Sequence, residues 1–295
     1  MSNLEKEYLK FIKNQETTSE KFYDNLKQLN VYYVPLCQKI FKLFKAQKRP
    51  LLLGLSGGQG SGKSTISQIL KIIFNSKFNL NVACLSIDDF YKTSLERKKM
   101  SKLIHPLFLT RGVPGTHDCK MLYNTIAKLL KKKFNSIKTP KFDKSIDDRL
   151  NIKFWYKIKK KPDIIIFEGW CVGAKPQHFK ELKKPINNLE KTEDTKLTWR
   201  KKVNNELKTN YKKIYSLLDK RIYLKVPSFK YVLKWRLLQE KKLRLRSKRK
   251  AMTNKQIKRF IMFYERITKN MTKNYKKNDF IITIDKKHKI KSVKF

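Results

Sequence analysis

Eight consecutive residues, Gly57-Gly-Gln-Gly-Ser-Gly-Lys-Ser64, fit the spacing G-x-x-x-x-G-K-[ST] of a loop that wraps phosphate groups. Glycines let successive backbone N–H groups turn inward with no Cβ in the way, and a helix starting there adds its positive dipole end. Gly57, Gly58, Gln59, Gly60, Ser61, Gly62, Lys63, Ser64 and Thr65 are the expected contacts to the nucleotide. Lys63 is expected to meet the β- and γ-phosphates, and the Ser64 hydroxyl to ligate Mg²⁺. The flanks agree with this. Leu51-Leu-Leu-Gly-Leu55 reads as a buried strand, and Thr65 to Phe74 carries apolar residues at helical spacing.

Two further acid-bearing stretches lie downstream. Ser86-Ile-Asp-Asp-Phe-Tyr91 closes an apolar run with two carboxylates. A carboxylate just past a strand end can take the proton of an attacking hydroxyl, activate water or bind metal; the alternative is a turn or helix cap made by Asp88 and Asp89. Asp163-Ile-Ile-Ile-Phe-Glu-Gly-Trp170 is an apolar strand closed by Glu168, the expected second holder of Mg²⁺. Asp163 starts that strand and is expected to be a structural cap. Between them, Thr110-Arg-Gly-Val-Pro-Gly-Thr-His-Asp118 could bind a small polyhydroxylated acid, with Arg111 or His117 meeting its carboxylate. Asp118 could equally cap the next helix, and the two roles can coexist. Asp143 and Lys144 add polar groups in a later loop. His105 is expected to be structural. The run Lys241 to Arg249 is either a solvated face or a basic lid closing over the nucleotide, with Arg244, Arg246 or Arg249 neutralising charge during transfer.

The elements that would position these groups alternate. Strands are expected at Leu51–Leu55, Asn81–Ile87, Asp163–Phe167, Arg221–Val226 and Phe280–Ile284, separated by helical patterns. That alternation predicts an α/β fold, a mostly parallel sheet with helices on both faces and ligands at the carboxyl ends of the strands. Residues 1–48 read as an N-terminal helical layer. Residues 49–295 then form the main domain, with a polar insertion at about 177–210 and the basic segment at about 241–252.

The chain has 295 residues and a net charge of +47, carried by lysines scattered along its length rather than by one arm. Compositional bias explains that pattern better than a nucleic-acid site does. The four cysteines, Cys37, Cys84, Cys119 and Cys171, show no metal spacing and read as reduced thiols. No signal peptide or membrane-length apolar run is visible, so a soluble, cytoplasmic protein is expected.

The chain resembles the D-glycerate 3-kinases of the plant and cyanobacterial type, with their bacterial and fungal kinase-like relatives, within the wider group of uridine kinase, phosphoribulokinase and pantothenate kinase. The resemblance spans roughly residues 33–295. It rests on the phosphate loop at 57–64, Ser-Ile-Asp-Asp-Phe-Tyr at 86–91, Arg-Gly-Val-Pro-Gly-Thr-His-Asp at 111–118 and Phe-Asp-Lys-Ser at 142–145. Phe-Glu-Gly-Trp-Cys at 167–171, Trp-Arg-Leu-Leu-Gln-Glu at 235–240 and Tyr-Glu-Arg-Ile-Thr at 264–268 complete it. It implies a P-loop kinase fold, ATP with Mg²⁺, and phosphoryl transfer to a primary hydroxyl, here that of D-glycerate. The base of S-x-D-x-F-Y falls on Asp88. Tyr91, Arg111, His117, Asp118, Asp143 and Lys144 become the expected acceptor residues, and Lys63, Asp88 and Arg244 the catalytic set. The chain departs from the family after Ser145. Relatives carry a longer glycine-containing stretch there; this chain has only Ile146-Asp-Asp-Arg149. Two other functions stay open: the same fold acting on a nucleoside or pantothenate, and a P-loop ATPase that binds nucleic acid.

Overall fold

The computed structural model describes residues 1–16, 24–246 and 252–295, with backbone alone at 239 and 241–246. Its centre is a six-stranded sheet. In chain order the strands are β1 (Leu51–Gly57), β2 (Val82–Ser86), β7 (Ile164–Glu168), β8 (Lys220–Lys225), β9 (Phe280–Ile284) and β10 (Ile290–Lys294). Two small hairpins lie between β2 and β7: β3 (Ile137–Thr139) with β6 (Tyr156–Ile158), and β4 (Phe142–Asp143) with β5 (Asp148–Arg149). Across the sheet the order is β10-β9-β8-β1-β7-β2. All pairings are parallel except the edge pair β9–β10, so the fold is the α/β architecture expected from the alternation.

All seven residues of β1 and all five of β7 are buried. This is why both read as continuous apolar runs rather than alternating ones: helices cover both faces of a parallel sheet. On one face the helix Lys63–Phe78 packs Ile66, Leu70, Ile73 and Phe74 with Leu51, Leu53 and Leu55. The N-terminal segment adds helices Asn3–Gln15 and Val34–Lys45 to this same core through Tyr8, Ile12, Leu36 and Ile40. It is also tied to the sheet edge. Gln28 Nε2 donates to Ile290 O at 3.2 Å, and its Oε1 accepts from Ile290 N–H at 2.8 Å. On the other face Leu52, Ile165 and Phe167 meet the helices Cys119–Leu130, Thr198–Lys208 and Asn254–Lys273.

The polar stretch 177–210 folds into helices Phe179–Lys183, Asn188–Thr192 and Thr198–Lys208, and an ion-pair network ties it to the helix Asn254–Lys273. Glu190 is 1% exposed. Its carboxylate accepts from Arg266 Nε at 2.7 Å and Nη2 at 2.6 Å, and from Arg200 Nη1 at 3.2 Å. Arg200 is itself buried and reaches Asp194 as well. A sequence pattern shows only isolated charges here; the pairs are residues 10 and 76 apart. No helix among the described residues is long and apolar enough to cross a membrane.

Removing one member of a buried ion network leaves its partners charged and unpaired. Glu190→Ala should therefore lower unfolding stability by about 3–5 kcal/mol in urea titration. A loss below about 1 kcal/mol would mean that solvent already screens Arg200 and Arg266.

Candidate active site

The phosphate loop links β1 to the helix Lys63–Phe78. Its turn uses left-handed backbone at Gly60 (φ 71°) and Gly62 (φ 88°), which non-glycine residues rarely adopt. Gly60 also has no room for a side chain, since a Cβ there would lie 2.9 Å from Trp235 Cβ. Trp235 belongs to the helix Phe229–Arg246, so that helix rests directly on the loop. The turn between β9 and β10 closes the loop from the other side. His288 Nε2 bonds to the Gly60 carbonyl at 2.8 Å, with its ring against Trp235, centroids 4.1 Å apart. Lys63 Nζ donates to Gly58 O at 3.1 Å. Burial lowers the proton affinity of Lys63, opposed by the charges of Glu168 and Asp88.

The acids arrive from adjacent strands. Glu168 is the register partner of both Leu55 in β1 and Ser86 in β2. It is 7% exposed, and its Oε1 accepts from Ser64 Oγ at 2.8 Å. Burial pushes the Glu168 carboxyl up, offset by Lys63 and hydrogen bonds from Ser64 and Ser86. Ser64 and Glu168 thus form a pair of hard oxygens at the loop. This suits Mg²⁺, which needs one or two protein oxygens and takes the rest from water and phosphate. Asp163 sits at the other end of β7, where its Oδ2 accepts from Asn81 N–H at 2.8 Å.

Asp88 and Asp89 diverge. Asp88 Oδ1 accepts from the Tyr91 hydroxyl at 2.8 Å and Oδ2 from Lys144 Nζ at 2.6 Å. Burial alone would raise its carboxyl, but Lys144 and Tyr91 outweigh this and hold it well below the usual range. Asp89 turns to the hairpin, where Oδ1 accepts from Phe142 N–H at 3.2 Å. Burial and the neighbouring acids push its carboxyl up to about 6.

On the acceptor side the structure brings Tyr91, Arg111 and Lys144 to one place but gives His117 and Asp118 other work. His117 is 1% exposed, stacks on Tyr91 with centroids 4.6 Å apart, and its Nδ1 is 2.5 Å from the Tyr211 hydroxyl. Burial drives its pKa down to about 3, so the ring is neutral and cannot be a cation for a carboxylate. Its Nε2 has no hydrogen-bond partner among the described residues. Asp118 Oδ1 caps the helix Cys119–Leu130 by accepting from Met121 N–H at 3.0 Å, and Oδ2 pairs with Arg149 at 3.3 Å. The cap role takes up this carboxylate. Asp143 Oδ1 accepts from Ser145 N–H at 2.8 Å within the β4–β5 turn. His105 Nδ1 accepts from Leu107 N–H at 3.2 Å, and its Nε2 lies 3.9 Å from Asp194 Oδ1. The side chains of Arg244 and Arg246, and all of Arg249, lie outside the described residues.

Sequence reasoning missed Asp147. It takes left-handed backbone (φ 55°) in the short turn that departs from the family, doing there what a glycine would do. Its carboxylate pairs with Arg111 and with the buried Arg97, whose Nη2 also donates to Asp147 O at 2.6 Å. Trp170 and Tyr264 lie in the motifs at 167–171 and 264–268, whose sequence alone assigns them no role. Trp170 Nε1 donates to Gly112 O at 2.9 Å and the Tyr264 hydroxyl to Arg111 O at 3.2 Å, fixing the Arg111 loop from behind. A cleft of about 930 Å³ runs from Ser64, Asp88 and Glu168 past Lys144 to Tyr156 and Lys71.

The Asp89 shift has a readable consequence. Its folded-state pKa, about 6, lies above the ordinary 3.8, so the folded chain holds the proton more tightly than the unfolded one. The stability that this provides is full below the unfolded value and lost as pH rises through the folded one. Asp89→Asn keeps an oxygen for Phe142 N–H and carries no charge. In urea titrations the variant should gain stability relative to wild type between about pH 4 and about pH 8. A difference independent of pH would mean that Asp89 ionises freely.

Known proteins match this architecture. The model of the phosphoribulokinase/uridine kinase family matches residues 52–202, about half of the chain. A Schizosaccharomyces pombe protein named uncharacterized kinase mug58 is 33% identical over 241 residues, covering 78% of this chain and 85% of that protein. The chloroplastic D-glycerate 3-kinase of Arabidopsis thaliana is 28% identical over 250 residues, 79% of this chain and 52% of that longer protein. A solved D-glycerate 3-kinase from Cryptococcus neoformans superposes with a TM-score of 0.73 at 22% identity, covering 88% of this chain and 97% of its own, a likeness of fold. With the phosphate loop, Glu168 and Asp88 converging on the carboxyl ends of a parallel sheet, the chain belongs to the phosphoribulokinase/uridine kinase family of P-loop kinases.

Proposed function

We propose that this kinase transfers the γ-phosphoryl group of ATP to the primary hydroxyl of D-glycerate, giving 3-phosphoglycerate and ADP. The observation that carries an acid acceptor is the placing of two cations beside the proton acceptor. Lys144 touches Asp88, and Arg111 lies near enough to act on the charge of both Lys144 and Tyr91. A carboxylate on a small molecule is best held by such cations, whereas a nucleoside needs apolar or aromatic walls. The resemblance to proteins named D-glycerate 3-kinase supports the same acceptor.

In this reading the glycine loop and Lys63 hold the β- and γ-phosphates. Ser64 and Glu168 would hold Mg²⁺, which when bound supplies positive charge to the phosphate oxygens. Asp88 takes the hydroxyl proton, with Tyr91 fixing the angle of its carboxylate. Arg111 and Lys144 meet the carboxylate of the acid. The neutral His117 stiffens Tyr91 from behind by ring stacking. Arg244 is proposed to neutralise charge on the transferring group from the helix that covers the loop.

The direct test is ADP release with Mg-ATP across D-glycerate, uridine and pantothenate. Turnover of D-glycerate is expected; turnover of uridine or pantothenate without it would overturn the acceptor and leave the kinase. Arg111→Lys keeps charge but loses the planar fork, so it should raise the glycerate KM about tenfold and leave the ATP KM unchanged. Glu168→Gln should shift the Mg²⁺ titration of turnover to higher concentration while the glycerate KM moves little. The reverse pattern would move Glu168 into the acceptor pocket.

A further inference from the structure

Asp88 is engaged on both carboxylate oxygens, and the reaction needs one of them for the proton of the acceptor. The Tyr91 bond is the fixed one. That ring is 3% exposed, stacked on His117 and edged by Phe142 with centroids 5.2 Å apart. The Lys144 bond is the movable one. Its side chain is 60% exposed, at the tip of the β4–β5 hairpin, where Ser145 and Ile146 are exposed too. The hairpin itself is pinned at its base: Phe142 N–H donates to Asp89, Leu150 N–H to Lys141 O, and Ser94 N–H to Asp148. A four-carbon stem on a fixed hairpin lets the ammonium swing by several Å without moving backbone.

The neighbouring cation is tied differently. Arg111 is paired with Asp147, an acid of the same hairpin turn, and Asp147 is held again by the buried Arg97. Lys144 is thus the acceptor-side cation whose charge is spent on the catalytic acid itself. In a three-carbon hydroxy acid the terminal hydroxyl and the carboxylate lie roughly 4–5 Å apart. With the hydroxyl on Asp88, the carboxylate therefore falls within the sweep of the Lys144 ammonium.

We propose that Lys144 is a latch on Asp88, released when the carboxylate of the acceptor draws its ammonium away. The inference rests on the acid-acceptor reading given above. Once an oxygen of Asp88 is freed, the acceptor hydroxyl gives it a proton while its oxygen bonds to the γ-phosphorus of ATP. The bond from that phosphorus to the bridging oxygen breaks, and the electron pair leaves with ADP. Water could follow the same course to give inorganic phosphate, but it carries no charge to open the latch. A neutral polyol has none either. The latch therefore selects for acids and suppresses wasteful hydrolysis.

The test compares the wild-type chain with Lys144→Met and the double variant Lys144→Met/Asp88→Asn, all with Mg-ATP. The first readout is ATP hydrolysis without any acceptor. Lys144→Met should raise it about fivefold or more, and the double variant should abolish the gain. The second readout is kcat/KM for D-glycerate against glycerol, its neutral counterpart. Lys144→Met should lower the first about tenfold and raise the second, so that discrimination collapses. A role confined to binding or to shaping the hairpin would lower glycerate turnover and leave hydrolysis unchanged or lower; that result overturns the latch. If wild type ignores D-glycerate while Lys144→Met still raises hydrolysis through Asp88, the acceptor reading falls and the latch on Asp88 stands.

Discussion

The register of β7 between β1 and β2 is the constraint on which the site depends. Glu168 pairs across with Leu55 on one side and Ser86 on the other, so three strand ends finish at the same level. The phosphate loop leaves β1 two residues later, and Asp88 follows β2 by the same interval. Parallel pairing needs no side-chain contact to set this alignment; the backbone ladder does it, and the apolar runs of β1 and β7 hold it by burial. A slip by one residue would turn Glu168 to the opposite face of the sheet and separate it from Ser64.

Charge is then distributed unevenly over three acids within a very basic chain. The net charge of +47 would favour ionised carboxylates everywhere, yet burial raises Glu168 and Asp89 while Asp88 falls. The difference is local. Asp88 has an ammonium and a phenol in contact, Glu168 has a serine hydroxyl and a lysine further off, and Asp89 has one backbone N–H. Contacts within a few Å outweigh the diffuse field of distant lysines, which solvent screens.

Behind the reactive face lies an aromatic and hydroxyl layer that carries no charge. Tyr91, His117 and Tyr211 form one group, in which Tyr91 stacks on His117 and Tyr211 bonds to it, and Trp170 and Tyr264 form another, edge to face with centroids 4.7 Å apart. The second group leaves no room for a side chain at Gly112, where a Cβ would meet the Tyr264 hydroxyl. These groups fix the loop Arg111–Asp118 from the protein side, so that its backbone has little freedom to lose on binding.

The sequence by itself determined the phosphate loop, the strand–helix alternation and the two acids at strand ends, because each depends on residues close in the chain. Gly60 and Gly62 are needed for a turn of fixed local shape, and the buried strands announce themselves by unbroken apolar runs. It also marked Arg111 and Lys144 as polar groups near the site. What it could not determine was partnership. Whether His117 would be charged depended on burial and on Tyr211, 94 residues away. Whether Asp118 would meet a substrate or cap a helix depended on Arg149 arriving across the hairpin. That Lys144 pairs with Asp88 and Arg111 with Asp147 follows from the short β4–β5 hairpin folding back onto β2's end, across separations of 56 and 36 residues. Local patterns fix backbone shape within a few residues; the sign and strength of a charge at a site are set by whatever the tertiary fold brings within a few Å.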